Sequence, residues 1–320
     1  MTSQPLLQFA DILAARDRIA PWVTRSPMLR TQGGPILKAE NLHPCGAFKI
    51  RGAFNWLLSL TEAQRAGGVI APSSGNHAQA VAYAAHCLGV KALAVMPTSS
   101  PEAKRAGVRR WGAEVRIIDP AIDGSAMAWA SRHGPELGLT LIHPYDALEI
   151  MAGTGTLGLE IVEDAPDLAT VYVPVSGGGL ISGIATAMKA RLPRARVVGV
   201  EPELANDVAL GFRAGERRAL SYQETVRTMA DGLRVEQAGL QTWPHILALV
   251  DDVVTVTEEE IGAAVAWVAR EGRVVAEPSG AVSVAAALRD NEPRRTVAVI
   301  SGGNVDPALY AELMTKGVVA

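Results

Sequence analysis

Four short stretches hold the residue types from which a reaction centre could be built. In Cys45-Gly46-Ala47-Phe48-Lys49-Ile50-Arg51-Gly52-Ala53, a lysine stands between two apolar side chains and opens an apolar helical pattern over residues 54–60. A lysine is ordinarily a solvated surface charge. Desolvation beside Phe48 and Ile50, with a second cation at Arg51, would lower its pKa and free the amine to attack an aldehyde. In Val171-Tyr172-Val173-Pro174-Val175-Ser176-Gly177-Gly178-Gly179-Leu180, a strand pattern feeds three glycines and a helix pattern follows over 180–191. Glycines let successive backbone N–H groups converge on an anion, and a helix N-terminus adds partial positive charge. A phosphate fits there, although one glycine alone would read as a tight turn. The spacing matches neither G-x-G-x-x-G nor G-x-x-x-x-G-K-[ST], which argues against nicotinamide dinucleotides and nucleoside triphosphates.

The third stretch, Ser73-Ser74-Gly75-Asn76-His77, lies between a strand pattern and a helix pattern. Hydroxyl and amide groups at a helix start suit a carboxylate or a ring hydroxyl, and taken alone an ordinary cap at Ser74 or Asn76 is the plainer reading. The fourth, Ser301-Gly302-Gly303-Asn304, follows the apolar run 296–300 and puts a hydroxyl where parallel sheets bind ligands, beyond the carboxyl end of a strand. A further stretch, Glu201-Pro202-Glu203-Leu204-Ala205-Asn206-Asp207, could offer oxygen ligands to a hard cation, or be a solvated acidic turn.

Strand patterns over 36–40, 69–72, 92–96, 114–118, 170–175, 197–201, 253–256 and 296–301 alternate with helix patterns over 76–88, 101–111, 148–162, 180–191, 258–270 and 279–289. Apolar strands alternating with helices predict an α/β protein whose parallel sheets are covered on both faces. All four motifs then fall at strand ends or at the starts of helices that follow strands, so they converge. The polar, aperiodic run 213–224 reads as a surface connection. No internal repeat or linker marks a domain boundary.

The chain has 320 residues, which fits two domains, with 48% hydrophobic and 20% charged residues. A net charge of −3 and aromatics at 5% give no footprint for nucleic acid or an anionic membrane. Cys45 and Cys87 form neither a bridge framework nor a metal-ligand spacing, and reduced thiols in a cytoplasmic protein are expected. No signal peptide is apparent at the N-terminus, which carries Asp11 and Asp17. The uncharged run 170–188 is interrupted by Pro174 and the glycines, so it reads as strand, loop and helix rather than a membrane span.

The order and spacing of these motifs, from about residue 36 to 307, resemble fold-type II pyridoxal-phosphate (PLP) enzymes, nearest to the threonine/serine dehydratase and serine racemase family. His143-Pro144, Ala230-Asp231-Gly232 and Glu277-Pro278-Ser279-Gly280 add to the likeness. The resemblance implies that Lys49 holds the cofactor as a Schiff base and takes the substrate Cα proton. It implies that Phe48 packs beside the cofactor, that Asn76 bonds its ring hydroxyl, and that Ser176, Gly177, Gly178, Gly179 and Leu180 bind its phosphate. Ser301 would face the pyridine nitrogen, and a neutral hydroxyl there favours elimination over transamination. Ser73, Ser74, Asn76 and His77 would receive the substrate carboxylate, with Ser74 on the face opposite Lys49. Glu201, the Ala205 carbonyl and Asp207 match a divalent-cation site of the family, for Mg²⁺ or Ca²⁺.

The architecture implied is two three-layer parallel-sheet domains with PLP in the cleft. A large domain would be built from 1–67 and 146–320, and a small mobile one from 68–145. The activity implied is dehydration and deamination of L-threonine or L-serine to a 2-oxo acid and ammonia, of the catabolic type without a regulatory domain, in a homo-oligomer. Racemisation of serine and ammonia loss from 3-hydroxyaspartate are the alternatives, the latter weakened because 124–133 offers no arginine in its first two turns. A nicotinamide-dependent dehydrogenase, from a different class, has the wrong glycine spacing. The chain departs from the family pattern at Ala47, where serine is commoner, at Ser176, where glycine is usual, and at Tyr145.

Overall fold

The computed structural model describes residues 6–73, 75–100 and 102–316. The β-branched runs settle into two sheets. The larger has six strands in the order β1 (Met28–Leu29), β2 (Ile36–Ala39), β10 (Thr296–Ile300), β7 (Thr170–Pro174), β8 (Arg196–Pro202), β9 (Asp252–Val256). The smaller has four, in the order β5 (Glu114–Ile118), β4 (Ala92–Pro97), β3 (Val69–Pro72), β6 (Thr140–Leu141). Every pairing is parallel except β1 with β2, where Met28 faces Lys38. In β10, Val297 pairs with Ile36 on one side and Val171 on the other, so the last strand lies between early and middle chain.

Burial on both faces explains the composition of the inner strands β3 and β10, which are buried along their whole length, whereas β5, at a sheet edge, exposes Glu114 and Arg116. Val297 and Val299 pack into a core with Ile181, Ile184 and Met188, while Ala298 and Ile300 face the other way into a core with Val282, Ala285 and Val265. The period of two is that of an extended strand. The helices used below are α1 (Lys49–Ser59), α2 (Asn76–Leu88), α3 (Glu102–Arg109), α4 (Leu148–Asp164), α5 (Gly179–Arg191), α6 (Asp207–Ala214), α7 (Glu258–Trp267) and α8 (Pro278–Ala287). One core joins Ile50, Phe54 and Leu57 of α1 to Val69 of β3, Val81 and Ala84 of α2, and Ile142. The helix that begins at Lys49 is therefore packed against the smaller sheet's own layer.

Glycines on α4 and α5 let helices meet at backbone distance. A Cβ at Gly153 would fall 2.6 Å from the Arg51 carbonyl oxygen, and one at Gly183 would overlap that of Met151. Helices α1 and α5, which begin at the lysine and at the glycine loop, are thus both held against α4.

The structure departs from the sequence pattern in a few places. The helix expected over 258–270 ends its α-helical course at Trp267 and widens into a π-turn over Val268–Gly272 before Arg273, which sits at φ +56°. The two-residue strands β1 and β6 are too short to show a period. Within 213–224 a short helix, Tyr222–Thr225, is nucleated by a capping box between Ser221 and Glu224. Among the described residues, no helix is long and apolar enough to cross a membrane.

Candidate active site

The lysine loop and the closing glycine stretch are hydrogen-bonded into one unit. The Phe48 N–H donates to the Ser301 carbonyl at 3.0 Å, and the Gly303 N–H donates to the Gly46 carbonyl at 2.9 Å. Asn304 Nδ2 donates to the Cys45 carbonyl at 2.8 Å. Gly46 lies at φ +71°, and a Cβ there would overlap the Asn304 side-chain amide, so the turn requires glycine on both counts. Residues some 250 positions apart in sequence thereby fix where α1 starts. That start is Lys49.

Lys49 Nζ donates to the Pro144 carbonyl at 2.7 Å and lies 5.0 Å from the centre of the Phe48 ring. Among the described residues it has no carboxylate partner, and burial pulls its pKa from 10.5 down to about 8. The expected contribution of Arg51 is not what the structure shows. Arg51 turns away into a buried ionic cluster, bonding Glu40 at 2.7 and 2.9 Å and Glu160 at 2.7 and 2.9 Å. Its charge is neutralised there, so desolvation alone depresses Lys49.

A cavity of about 320 Å³ gathers the other motifs around that amine: Phe48, Lys49, Ser73, Asn76, His77, Ser176, Gly177, Gly178, Gly179, Leu180 and Ser301 all line it. Ser74 lies outside the described residues. A larger, open basin of about 820 Å³ sits at the opposite, N-terminal ends of β7 and β8 and contains none of the motif residues. Convergence of the motifs, not size, identifies the site.

The glycine loop has the form of an anion cradle. Gly178 lies at φ +91° as the N-cap of α5, and Gly179 is that helix's first residue. The first N–H groups of a helix have no partner within it. The Ser176 hydroxyl, at the mouth of the same turn, is buried without a hydrogen-bond partner among the described residues. A Cβ at Gly177 would strike the Tyr145 ring, so Tyr145 roofs the loop. From beneath, Thr242 Oγ1 donates to the Gly177 carbonyl at 2.6 Å. Asp146 in turn accepts from the N–H groups of Leu240, Gln241 and Thr242 at 2.9, 2.8 and 3.2 Å. A phosphate suits this donor set, which offers N–H groups, a hydroxyl and the positive end of a helix.

Asn76 is held in place by two neighbours. Its Nδ2 donates to Glu277 Oε1 at 2.5 Å, and its Oδ1 accepts from Asn304 Nδ2 at 2.8 Å. Glu277 is buried and lines the cavity, and its pKa is raised to about 7, by burial first and then by Asp231. The Glu277-Pro278-Ser279-Gly280 motif contains this acid, but the sequence pattern gives it no part in the site. It directly precedes Pro278 at the start of α8, where an acidic residue looks like an ordinary helix cap. Asp146 escapes notice for a similar reason, since it follows the His143-Pro144 motif as one more loop residue. Ser301 ends β10 with its hydroxyl 3.5 Å from the Ser279 carbonyl, a marginal bond that leaves it free for another acceptor or donor.

His77 behaves differently from a cationic anchor. Its Nε2 lies 2.9 Å from the Ile142 carbonyl, which places the proton on that nitrogen, and its Nδ1 is buried without a partner. Burial, then Lys49 and His143, lower its pKa to about 3. The ring is therefore neutral, and the donor His77 can offer an anion is its backbone N–H in the first turn of α2.

The acidic stretch that ends β8 and leads into α6 lies outside the cavity. Glu201 and Asp207 are both buried, at 0% and 2% exposure. Glu201 accepts from the N–H groups of Val208 and Ala209 at 3.3 and 2.7 Å, and Asp207 accepts from Ala238 N–H at 2.9 Å. Burial and then Asp207 push Glu201 well above the usual carboxylate range, and burial pushes Asp207 to about 7. Two buried carboxylates that repel each other are the donor chemistry a hard cation relieves. Among the described residues no group of three His, Cys, Asp or Glu side chains could hold a metal, so further ligands would have to be backbone or side-chain oxygens of other kinds, or water.

The chain from residue 19 to 302 matches the family model described as pyridoxal-phosphate dependent enzyme. It is 39% identical to a catabolic L-threonine dehydratase of Staphylococcus aureus, over 98% of this chain and 93% of that protein. Its fold superposes on maize serine racemase with a TM-score of 0.90 at 37% identity, covering 98% of this chain and 99% of the other. It superposes on the processed form of a threonine deaminase from Solanum lycopersicum with a TM-score of 0.88 at 35% identity, covering 96% and 91%. With the lysine, the phosphate cradle and the Ser301 hydroxyl around one cavity, the chain belongs to the pyridoxal-phosphate-dependent enzyme family.

Proposed function

We propose that this protein dehydrates and deaminates L-threonine or L-serine, giving a 2-oxo acid and ammonia. The observation that carries this reading is the cluster itself. A lysine with its pKa near 8, an anion cradle at 176–180 and a neutral serine at the end of β10 face one cavity. When bound, the cofactor supplies an electrophilic carbonyl and a conjugated ring that takes up the electron pair left at Cα. Lys49 would hold the cofactor carbonyl, the loop N–H groups and Ser176 its phosphate, Asn76 its ring hydroxyl, and Ser301 its ring nitrogen, with Phe48 packed alongside.

The protein's own residues then do three things. Lys49 Nζ, whose pKa burial lowers toward the working pH, would accept the Cα proton, and the Pro144 carbonyl 2.7 Å away would orient it. The start of α2, through the N–H groups of Asn76 and His77 and the Ser73 hydroxyl, holds the substrate carboxylate. Ser74 belongs to the same proposed set. Ser301, being a neutral hydroxyl rather than a carboxylate, would leave the ring nitrogen without a proton. That limits how much charge the ring stores and favours expulsion of the β-hydroxyl.

Glu201, the Ala205 carbonyl and Asp207 would hold Mg²⁺ or Ca²⁺ as a structural or activating ion, since the strand and α6 that carry them are buried in the larger body. Residues 68–145 are proposed as a small domain that closes on a large one formed by 1–67 and 146–320, in a cytoplasmic homo-oligomer. The test is a product assay on L-serine, L-threonine and threo-3-hydroxyaspartate, measuring oxo acid and D-enantiomer with and without Mg²⁺. Oxo acid from L-threonine or L-serine supports the reading, and none from either sinks it. Racemisation is the second reading, favoured by the superposition on maize serine racemase; D-serine formed faster than pyruvate would put it first.

A further inference from the structure

The cavity that holds Lys49 and Ser301 is bordered on its solvent side by one ion pair that joins the two sheet systems. Lys104 lies on α3, beside the four-stranded sheet, and Asp231 opens the short 3-10 turn Asp231–Leu233 next to the six-stranded one. Lys104 Nζ donates to Asp231 Oδ2, and both residues line the cavity. Their side chains are 23% and 36% exposed, so the pair stands at the entrance rather than in the interior. The turn carrying Asp231 is fixed from behind, where the Gly232 N–H donates to Ser279 Oγ at 2.9 Å.

Among the described residues, lysine and arginine line the cavity at Lys49, Lys104 and Arg234. Lys49 is taken up by the reaction, and Arg234 is tied to the backbone through Nε and Nη2, which donate to the Thr228 carbonyl at 3.0 and 2.5 Å. Lys104 is then the cavity amine that could receive an anionic group on a substrate side chain, and Asp231 already occupies it. Glu277, on the same wall, adds a second carboxyl facing the cavity.

We propose that the Lys104–Asp231 pair confines the site to hydroxy amino acids with a single carboxylate, refusing those whose side chain carries a second one. An incoming side-chain carboxylate meets a cation that is already matched and an aspartate of its own sign. Removing the Asp231 charge would convert Lys104 from half of a filter into a receptor. The inference rests on reading the cavity as the site of elimination from an amino acid.

The experiment compares kcat/KM for threo-3-hydroxyaspartate and L-threonine in the PLP-loaded wild type, Asp231→Asn, Lys104→Met and the double variant. Asp231→Asn should raise the 3-hydroxyaspartate to L-threonine ratio by about tenfold or more, and adding Lys104→Met should cancel the gain. A ratio within about twofold of wild type in Asp231→Asn overturns the proposal, as does a wild type that uses both substrates equally well. Asp231→Ser makes the same comparison should the asparagine variant not fold. Absence of L-threonine and L-serine turnover in the wild type would instead count against elimination. The filter is then read from binding of L-aspartate against L-alanine, which lack the leaving hydroxyl, followed through cofactor absorbance. Asp231→Asn must tighten L-aspartate selectively, and an unchanged preference overturns the filter on its own.

Discussion

Lys49 and Arg51 sit two residues apart on one helix, Lys49 half-buried at the cavity and Arg51 fully buried, and the protein treats their charges in opposite ways. Arg51 is met by Glu40 and Glu160, and their attraction outweighs burial, so its pKa rises. Lys38, also buried, has Glu160 at 2.7 Å and Asp164 at 3.8 Å, yet burial outweighs the pull of the nearby carboxylates and its pKa falls. Lys49 has only a carbonyl, and it falls to about 8. The carboxylates mirror the cations. Burial would raise Glu40, but Arg51 and His43 hold it well below the usual range, whereas Glu277 rises to about 7. Buried charge that is compensated builds the frame, and buried charge left uncompensated is what chemistry can use.

The largest effect should come from the uncompensated side. Lys49→Ala is expected to lower kcat/KM for L-threonine by on the order of a thousandfold or more, since the proposed attachment point and the proposed base are one residue. After borohydride reduction, the wild-type peptide containing residue 49 should carry the cofactor mass and the variant's should not. A variant that keeps activity within about tenfold would break the contrast at its root. On the compensated side, Glu40→Gln leaves Arg51 with one carboxylate in place of two and should cost about 3–5 kcal/mol in denaturant unfolding. A loss below about 1 kcal/mol would show that the cluster is not the frame it looks to be.

How much of this was legible in the sequence follows the same division. The apolar run 69–72, the alternating stretch 114–118 and the helix pattern 76–88 are marked by period and punctuation, and they form where expected. Lys49, the glycine loop and Ser301 stand out because each combines an unusual residue type with a strand or helix end. What stayed hidden depends on contacts far along the chain. Glu277 reads only as the first residue of the Glu277-Pro278-Ser279-Gly280 motif until Asn76, 201 positions earlier, is placed against it. Arg51 reads as a neighbour of Lys49 until Glu160, 109 positions away, draws it off. His77 reads as a carboxylate ligand until the Ile142 carbonyl fixes its proton. Spacing along a chain reports which elements exist, while charge compensation is a property of how they are packed together.

Lowered and raised pKa values make opposite predictions for stability. Lys49 in the folded state binds fewer protons than the unfolded chain between pH 8 and 10.5, so its burial penalty is full below pH 8 and vanishes as pH rises to 10.5. Lys49→Met should therefore stabilise the cofactor-free protein at pH 7 by about 2 kcal/mol, the penalty of about 3 less the lost hydrogen bond. The gap should close between pH 8 and 10.5 in urea melts. Glu277 binds more protons when folded between pH 4.5 and 7, so its cost appears as pH rises through that window. Glu277→Gln should match wild type near pH 4.5 and exceed it by about 2–3 kcal/mol above pH 7. A variant with the same pH slope as wild type would remove Glu277 from the uncompensated set.

The smallest effect belongs to Glu201 and Asp207, which lie between the two classes. Their burial and mutual repulsion keep protons on the pair toward neutral pH, as at Glu277, yet they bracket a position where a cation would make them compensated. A divalent ion must displace those protons, so Mg²⁺ should stabilise the protein more at pH 8 than at pH 6. At an Mg²⁺ concentration about tenfold above Kd, the gain is about 1.4 kcal/mol at pH 8, read as a rise in Tm. Asp207→Asn should abolish the rise and, with one charge fewer to bury, leave the metal-free protein no less stable than wild type. An equal rise in that variant would place the ion elsewhere. A rise that shrinks as pH increases would mean that the pair does not have to lose protons to bind it, and it would move Glu201 and Asp207 to the compensated frame.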